Sequence, residues 1–347
     1  MLIPRTLTGL RMYSPLVKRL HLGRAYFTRR PIWCAWQLTY RCNFRCTFCD
    51  YWKDDVPGRD LTVDEFARGA RNLARAGSLL VSLAGGEPMV RHDIVDVVRE
   101  VSRYHLTFLT TNGWLVTREN ARTMFEAGLW GVSVSIDYAD PDRHDEARGR
   151  TGAFERAVNA LKYCSEERVG RHQRVNLQAV LMEDNLAEME KLAALARRHG
   201  ANFMVQPYSV LKTGDPAPAS RGPVSDELLR VKTRQPNFLS NPVFLDQFDE
   251  ALNGGVPGCM CGRAFFNIDH AGLVAKCVED RSHPVGSIVT DDMRTLLKRL
   301  RHRYRTNTCV DCWYNCRGEI ESVYRLRGLL HSLPTYFYGL VRRNRPK

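Results

Sequence analysis

Short apolar runs alternate with longer amphipathic segments over the first two thirds of the chain. Six runs have the length of buried strands; they cover residues 33–38, 79–84, 106–111, 131–137, 174–181 and 201–207. Apolar residues recur at helical spacing in the segments between them, which cover residues 62–76, 92–104, 118–127, 153–167 and 185–199. Strands that alternate with helices form a parallel sheet buried on both sides, because right-handed crossovers carry the chain over its faces. The pattern predicts an α/β fold of six β/α steps wound into an open or closed barrel, with functional residues after the strand carboxyl ends.

The pattern changes after the sixth predicted strand. Residues 212–223 are rich in Pro, Gly, Ser and Ala, which is typical of a long loop. Residues 256–320 contain few long apolar runs, so we expect a bound metal to stabilise this small cysteine-rich module. Four parts are predicted: a basic amphipathic leader at 1–31, the barrel at 32–255, the cysteine-rich module at 256–321 and a basic aromatic segment at 322–347.

Composition places the chain among ordinary globular proteins. It has 347 residues, of which 44% are hydrophobic and 26% charged, and this excludes collagen-like, low-complexity and wholly disordered classes. No apolar run reaches the length of about 18 residues that a membrane-spanning helix needs. The basic amino-terminal segment also lacks the apolar core of a secretion signal. We therefore predict a cytoplasmic protein.

The formal net charge of +13 is concentrated at the two ends. Residues 1–49 contain nine Arg or Lys and no Asp or Glu, and residues 322–347 contain six Arg or Lys and again no acid. The rest of the chain is close to neutral. Such segments favour an anionic partner, which can be a phosphate-bearing substrate, a nucleic acid or a lipid headgroup surface.

Both basic ends carry apolar residues at helical spacing, which predicts amphipathic helices. The two stripes are Leu10, Tyr13, Val17 and Leu20 in the leader, with Arg11, Lys18 and Arg19 away from it, and Leu329, Leu333, Phe337 and Leu340 near the carboxyl end. One interpretation places both helices on an anionic membrane, so that the protein is peripheral on the inner membrane surface. The alternative is that their apolar faces cover the base of the barrel or the cysteine-rich module.

Nine of the eleven cysteines fall in two clusters, and in a reducing compartment such clustering favours metal ligation over disulfides. Cys42, Cys46 and Cys49 directly follow the first predicted strand with the spacing C-x3-C-x2-C. Three thiolates on one loop can hold three irons of a [4Fe-4S] cluster and leave the fourth iron open to another ligand. Zinc is the weaker alternative, because structural zinc usually has four protein ligands. Cys34 and Cys164 lie in apolar or helical patterns and are expected to be buried small hydrophobes.

This loop resembles the signature of the radical S-adenosylmethionine (SAM) superfamily, in which the same spacing follows the first strand of a partial (β/α)6 TIM-like barrel. A second motif, Gly85-Gly86-Glu87-Pro88, directly follows the second predicted strand and resembles the GGEP element that holds the methionyl amino group of SAM. Its glycines permit close approach of the backbone, and Glu87 offers a charged acceptor. The resemblance covers residues 32–210 and implies that they form the SAM-binding barrel.

Two further strand ends resemble the TNG and S-x-D…H-x-x-x-R-G elements of the superfamily. They are Thr111-Asn112-Gly113, and Ser135-Ile136-Asp137 with the continuation through Asp140 and His144 to Arg148-Gly149. The resemblance implies that Ser135 contacts the SAM ribose and that Phe48 presents its backbone or ring to the adenine. Asn112 and Asp137 are further candidates for SAM binding; the alternative is that they cap strand ends and start turns.

The resemblance also implies a reaction. SAM chelates the open iron, the reduced cluster passes one electron to the sulfonium, and a 5′-deoxyadenosyl radical attacks an unactivated carbon of the substrate. A flavodoxin or ferredoxin is implied as electron donor, and the activity is expected to be sensitive to oxygen. No acid–base pair stands out in the sequence, so no catalytic residue is assigned.

The second cysteine cluster resembles the auxiliary-cluster modules called SPASM or twitch. Cys261 and Cys277 flank Gly272 as in the C-x9-15-G-x4-C opening of those modules. The closing pattern is shorter than in SPASM modules, so one auxiliary [4Fe-4S] cluster is expected instead of two. The expected ligands are Cys261, Cys277, Cys309 and Cys312, with Cys259 and Cys316 competing for one place. A structural zinc is the alternative.

The sequence is compatible with three functions. If the ends touch a membrane, the substrate is lipid-like, for example an isoprenoid, whose inert C–H bonds require a radical. The alternative is maturation of a ribosomally made peptide, with a separate partner supplying the recognition domain, because only forty-one residues precede Cys42. The third is a non-enzymatic iron-sulfur or RNA-binding protein, which leaves the GGEP and S-x-D elements unexplained; no specific nucleic acid is expected. Four residues are expected inside the barrel without an assigned role: Gln178, Gln206, Tyr208 and Arg263.

Overall fold

The computed structural model describes residues 13–53, 58–170 and 172–337, with side chains up to residue 334. Its strands are Trp33–Thr39 (β1), Leu80–Gly85 (β2), Leu106–Thr111 (β3), Gly131–Ser135 (β4), Arg174–Leu181 (β5), Asn202–Pro207 (β6), Phe265–Ile268 (β7), Leu273–Ala275 (β8) and Gly286–Ser287 (β9). Its helices are Pro15–Phe27 (α1), Val63–Leu73 (α2), Ile94–Ser102 (α3), Arg118–Glu126 (α4), Pro141–Arg148 (α5), Ala153–Glu166 (α6), Met189–Arg198 (α7), Ser225–Arg234 (α8), Pro242–Leu245 (α9), Phe248–Leu252 (α10), Met293–Arg305 (α11), Asn315–Ser322 (α12) and Leu326–Phe337 (α13).

The strands form one sheet in the order β6-β5-β4-β3-β2-β1-β7-β8-β9. Strands β1 to β6 pair in parallel with their neighbours, and helices connect them. Within the described residues β6 and β9 are the two edges, so the sheet does not close. The predicted α/β fold with a partial TIM-like barrel is confirmed, and the six strands lie where the apolar runs placed them.

Strands from the cysteine-rich segment extend the same sheet. β7 pairs in parallel with β1, from Trp33 opposite Phe265 to Trp36 opposite Ile268. β8 and β9 then add two antiparallel pairings. The second cysteine group is therefore fixed to the first barrel strand by backbone hydrogen bonds, an arrangement that the sequence patterns had not indicated.

Alternate residues of each strand face two different environments. On β1, Cys34, Trp36 and Leu38 are fully buried against the outer helices, and the Trp36 ring lies 5.1 Å from the ring of Phe66 on α2. Gln37, between them, faces a cavity inside the barrel. This alternation is the period-two pattern of a strand with helices on one side and an interior on the other. The predicted burial of Cys34 and Cys164 is confirmed.

Helix α5 ends where it meets the first cysteine loop. Gly149 terminates it in the left-handed conformation, with φ of 63°. A Cβ at this position would lie 2.6 Å from the carbonyl oxygen of Arg45, so only glycine lets the chain pass this close to the loop. The helix end and the cysteine loop are thereby held against each other.

The leader helix α1 packs on the base of the barrel through its basic face. The Lys18 ammonium donates to the carbonyl of Ser102, and the Arg19 guanidinium lies 5.9 Å from the Trp130 ring centroid. Both side chains are buried, whereas Leu20 is 62% exposed. The helix thus packs through residues outside the predicted apolar stripe, because the long Lys and Arg stems cover apolar surface. Leu10, Arg11 and Leu340 lie outside the described residues.

None of the described helices combines the length and the apolar character required to cross a bilayer.

Candidate active site

The first cysteine loop lies at the carboxyl end of β1. The Thr47 amide donates to the carbonyl of Ala147 on α5 at 3.0 Å, which fastens the middle of the loop. The thiols of Cys42, Cys46 and Cys49 line one end of the barrel cavity, and none of them is in a disulfide. The fold therefore brings these three thiols to one place.

Burial and a nearby cation control the charge of two of these thiols, those of Cys42 and Cys46. Burial raises the pKa of Cys42, and it raises the pKa of Cys46 to about 11. The guanidinium of Arg148 opposes both shifts. Iron binds thiolates, so cluster binding must displace the protons that Cys42 and Cys46 hold at neutral pH. Three free thiols beside a buried cation at the rim of a cavity are a donor set that fits a [4Fe-4S] cluster.

The glycines of the GGEP motif let two strand ends meet. The amide of Gly86 donates to the carbonyl of Thr39, and the amide of Glu87 donates to that of Arg41, each at 2.9 Å. A Cβ on Gly86 would lie 2.3 Å from the Arg41 carbonyl oxygen. The backbone of this motif thus lies against the start of the cysteine loop. Gly85 lies equally close to the backbone of Thr39. Pro88 is buried and starts a 3-10 turn away from the cavity lining.

Glu87 is the buried carboxylate of this site. It accepts hydrogen bonds from Thr111 Oγ1 at 2.8 Å, from the Met89 amide at 3.0 Å and from the Asn112 amide at 2.7 Å. Burial raises its pKa, and these donors oppose the shift. A carboxylate has about four acceptor positions, so one is left for a donor in the cavity, such as the amino group of SAM.

The other candidates for SAM binding divide into two groups. Phe48 and Ser135 line the cavity, and the Arg148 guanidinium lies 5.1 Å from the Phe48 ring centroid. Asn112 also lines it, but its side-chain amide donates to Asn43 Oδ1 at 2.8 Å and accepts from the Trp114 amide at 3.0 Å. Asn112 therefore holds the cysteine loop and its own turn.

Asp137 is buried behind the site. Its Oδ2 accepts from Arg148 Nε at 2.8 Å, and its Oδ1 accepts from the Val180 amide at 2.9 Å. Both oxygens are thus engaged by the protein, and Asp137 is not among the cavity-lining residues. Its contact with Arg148 places a cation beside Cys46, a role that the sequence assigned to neither residue.

One cavity of about 730 Å³ runs through the barrel from the cysteine loop to the base. A belt of uncharged polar side chains surrounds its middle: Gln37, Ser82, Thr110, Ser133, Asn176, Gln178 and Gln206. Tyr208 lines it too, so three of the four expected interior residues are confirmed. The expectation for Arg263 was wrong: it lies in the turn before β7 and donates to the hydroxyl of Tyr304 at 3.0 Å.

The second cysteine group lies beside β7 and β8. The Cys261 thiol shares hydrogen bonds with Cys259 and Cys277, so the pKa of Cys259 falls to about 6, that of Cys277 falls, and that of Cys261 rises. Burial raises the pKa of Cys312 to about 12, and it also raises the pKa of Cys316 well above its usual range. Across the described part of the chain, no three Cys, His, Asp or Glu side chains form a compact site for a single metal ion.

Two charged residues that the sequence did not single out hold this region together. The fully buried Arg317 donates to the carbonyls of Cys312 at 2.7 Å and of Val310 at 3.3 Å. Lys212, from the loop after β6, donates to Glu279 at 2.7 Å and to the Tyr51 hydroxyl at 3.2 Å. Lys212 thereby links the first cysteine loop to the second cysteine group. Only the three-dimensional arrangement identifies either role, because neither residue lies in a recognisable motif.

The chain is similar to several known proteins. Residues 36–196 match the family model described as the radical SAM superfamily. The chain is 33% identical over 203 residues to an AdoMet-dependent heme synthase of Methanosarcina barkeri, which covers 58% of this chain and 55% of that protein. It is 27% identical over 308 residues to the mycofactocin maturase MftC of Mycobacterium tuberculosis, covering 83% and 78%.

The fold has solved counterparts. Streptococcus suis SuiB bound to its precursor peptide SuiA matches with a TM-score of 0.65 at 17% identity, covering 83% of this chain and 70% of that one. Native anSMEcpe with bound AdoMet matches with a TM-score of 0.58 at 16% identity, covering 88% and 98%. The family match at residues 36–196 contains most of β1, all of β2 to β5, the cysteine loop and Glu87. Residues 36–196 therefore form a radical SAM domain, and the chain is an enzyme whose cofactors are a [4Fe-4S] cluster and SAM.

Proposed function

We propose that this enzyme modifies an unactivated carbon in a ribosomally made peptide that binds with an apolar segment inside the barrel. When bound, the reduced cluster and SAM supply a radical able to take a hydrogen atom from such a carbon. The protein positions the substrate carbon and excludes competing hydrogen donors. The polar belt of the cavity is the observation that carries the substrate assignment.

Cys42, Cys46 and Cys49 are proposed as the ligands of the SAM-cleaving cluster. Glu87 receives the amino group of SAM through its remaining acceptor position, and Ser135 and Phe48 face the ribose and adenine. Gly85, Gly86, Pro88 and Asn112 shape this site through the backbone, and Asp137 acts through Arg148. The support is the common cavity that the thiols, Glu87, Ser135 and Phe48 line.

Cys259, Cys261, Cys277 and Cys312 are proposed as the ligands of the auxiliary cluster. The first three thiols are linked by hydrogen bonds, and Cys312 interacts electrostatically with Cys259 and Cys277. Cys309, which the sequence favoured, donates to Asp311 Oδ2 at 3.4 Å and interacts electrostatically with Cys259. Cys316 lines the barrel cavity, where it faces the substrate space.

A peptide backbone matches the belt because its amides offer donors and acceptors to neutral Gln, Asn, Ser and Thr side chains. Gln37 is nearly fully buried, and its Oε1 has no hydrogen-bond partner within the described residues. The indole nitrogens of Trp33 and Trp130 on the same cavity are also unpaired there. Each such group left unsatisfied costs about 1–3 kcal/mol, which a polar substrate would recover.

A second candidate is a lipid-like substrate, for example an isoprenoid. The observation that favours it is the apolar base of the same cavity, lined by Leu22, Phe108, Ile320, Val323 and Leu329. An alkyl chain would fill this base but would leave Gln37 Oε1 and the indole nitrogens of Trp33 and Trp130 without hydrogen-bond partners. For either substrate, a flavodoxin or ferredoxin type protein is proposed as the electron donor.

The test measures 5′-deoxyadenosine made anaerobically by the reconstituted, reduced enzyme. Three additions are compared: the small-peptide fraction of the source cells, the same fraction after protease digestion, and a lipid extract. Stimulation by the peptide fraction that protease abolishes supports the proposal. Stimulation by lipid supports the second candidate, and stimulation that survives protease overturns the peptide assignment.

A further inference from the structure

Two helices at the base of the barrel leave apolar side chains exposed at helical spacing. These side chains are Leu16, Leu20 and Phe27 on α1, and Leu326, Leu330 and Leu333 on α13. Phe27 is 83% exposed and Leu326 is 73% exposed. Exposed apolar residues grouped on one side of a protein indicate an interaction surface, whereas isolated ones do not.

The two helices lie next to each other. The rings of Tyr26 at the end of α1 and Tyr324 just before α13 stack with centroids 4.9 Å apart. The Tyr26 hydroxyl donates to the carbonyl of Val323 at 3.0 Å. The end of one apolar stripe is therefore close to the start of the other.

The barrel cavity reaches the surface between these helices. Phe27 and Leu333 belong to the exposed stripes and also line the cavity. Leu22 and Leu329 line it from the same two helices further inside. The cysteine loop lines the other end of this cavity, so the base offers a second route toward the active site.

The charge around this surface favours an anionic partner. Arginines flank the stripes and are exposed: Arg24, Arg29, Arg30, Arg325 and Arg327. Residues 1–49 and 322–347 contain no Asp or Glu. An apolar patch bordered by arginines and free of acids along both segments matches an anionic lipid bilayer, which offers an apolar interior beneath a negative surface.

We propose that the α1–α13 surface docks on an anionic bilayer. The exposed Leu and Phe side chains enter the acyl boundary, the arginines contact headgroups, and the basal mouth of the cavity faces the lipid. The docking does not depend on which substrate the enzyme uses, and therefore it can fail without affecting the proposed function.

The test is co-sedimentation of the full, iron-loaded chain with vesicles of phosphatidylcholine or of phosphatidylcholine and phosphatidylglycerol in equal parts. One variant combines Leu20→Ser with Phe27→Ser, and a second combines Arg24→Gln, Arg29→Gln and Arg30→Gln. The charge control combines Arg294→Gln, Lys298→Gln and Arg301→Gln, at three exposed basic residues of α11. Val169→Ser, at another exposed apolar residue, is the apolar control.

We expect binding to the anionic vesicles, weakened about tenfold or more by each test variant and less than twofold by each control. Iron content and circular dichroism of every variant report whether it is folded. Absence of binding by the unaltered chain overturns the proposal. Equal losses in the α11 control and the α1 arginine variant would show general charge attraction and would also overturn it.

Discussion

Replacement of Asp137 by Ala removes the partner of a buried cation. Arg148 Nε lies 2.8 Å from Asp137 Oδ2, the Asp137 side chain is fully buried, and that of Arg148 is 9% exposed. Without the carboxylate the guanidinium is left buried beside Cys46, and the Val180 amide loses its acceptor. Removing one member of a buried pair costs about 3–5 kcal/mol. For a chain of this size we expect the unfolding temperature to fall by roughly 5 °C.

The assay is denaturant unfolding of the iron-free chain at pH 7, followed by circular dichroism. Glu166→Ala is the matched control, because it breaks the exposed pair with Arg118, whose side chains are 44% and 49% exposed. Exposed pairs contribute less than about 1 kcal/mol. A loss for Asp137→Ala no larger than that of the control would refute the assigned role of the pair. The variant should also bind less iron at the first cysteine loop, because Arg148 contacts Cys46.

Four further predictions address the sites and the base. Gly86→Ala should displace the cysteine loop and lower its iron content, because the new Cβ meets the Arg41 backbone. Gly222→Ala is the control, because a Cβ at that position has no atom within 4 Å, and it should leave the iron content unchanged. Equal iron in both variants would contradict this prediction. Glu87→Gln should weaken SAM binding by roughly tenfold or more in equilibrium dialysis, because a charge-assisted bond is lost, and unchanged affinity with full iron would exclude the assigned contact. Arg317→Met should remove iron from the auxiliary site while the first site keeps its own, which Mössbauer counting of iron can check; an intact auxiliary cluster would disprove the anchoring role. Burial lowers the pKa of Lys18 from 10.5 to about 8, so the unfolded chain binds more protons than the folded chain between these pH values. The free energy of unfolding should therefore rise from about pH 8 to about pH 10.5, and Lys18→Met should abolish this rise. Parallel pH profiles of the two proteins would contradict the prediction.

Much of the fold follows from local patterns, because each barrel strand is an apolar run flanked by an amphipathic helix. Strands β7 to β9 could not be predicted in this way, since they have two to four residues each and depend on the pairing of β7 with β1, more than 200 residues away in sequence. The packing face of α1 also could not be predicted, because it depends on the Trp130 ring and the Ser102 carbonyl meeting Arg19 and Lys18.

The candidate site shows a similar division. The spacing of Cys42, Cys46 and Cys49 and the GGEP motif indicated the cofactors, because the residues of each motif lie next to one another on one short loop. Motif matching could not separate Asp137 from Ser135, although the first is engaged by Arg148 and the second lines the cavity. The contacts of Lys212 with Tyr51 and Glu279, which lie 161 and 67 residues away in sequence, have no local sequence signal.

The central claim is that the loop of Cys42, Cys46 and Cys49 holds the cluster that cleaves SAM. The direct measurement is anaerobic formation of 5′-deoxyadenosine by the reconstituted, dithionite-reduced chain and by the variant with all three cysteines replaced by Ala. Cys164→Ala, at a buried cysteine outside both groups, is the control. We expect SAM cleavage by the unaltered chain and the control, and none by the triple variant, which should still retain auxiliary iron. Cleavage by the triple variant at the normal rate would contradict the assignment.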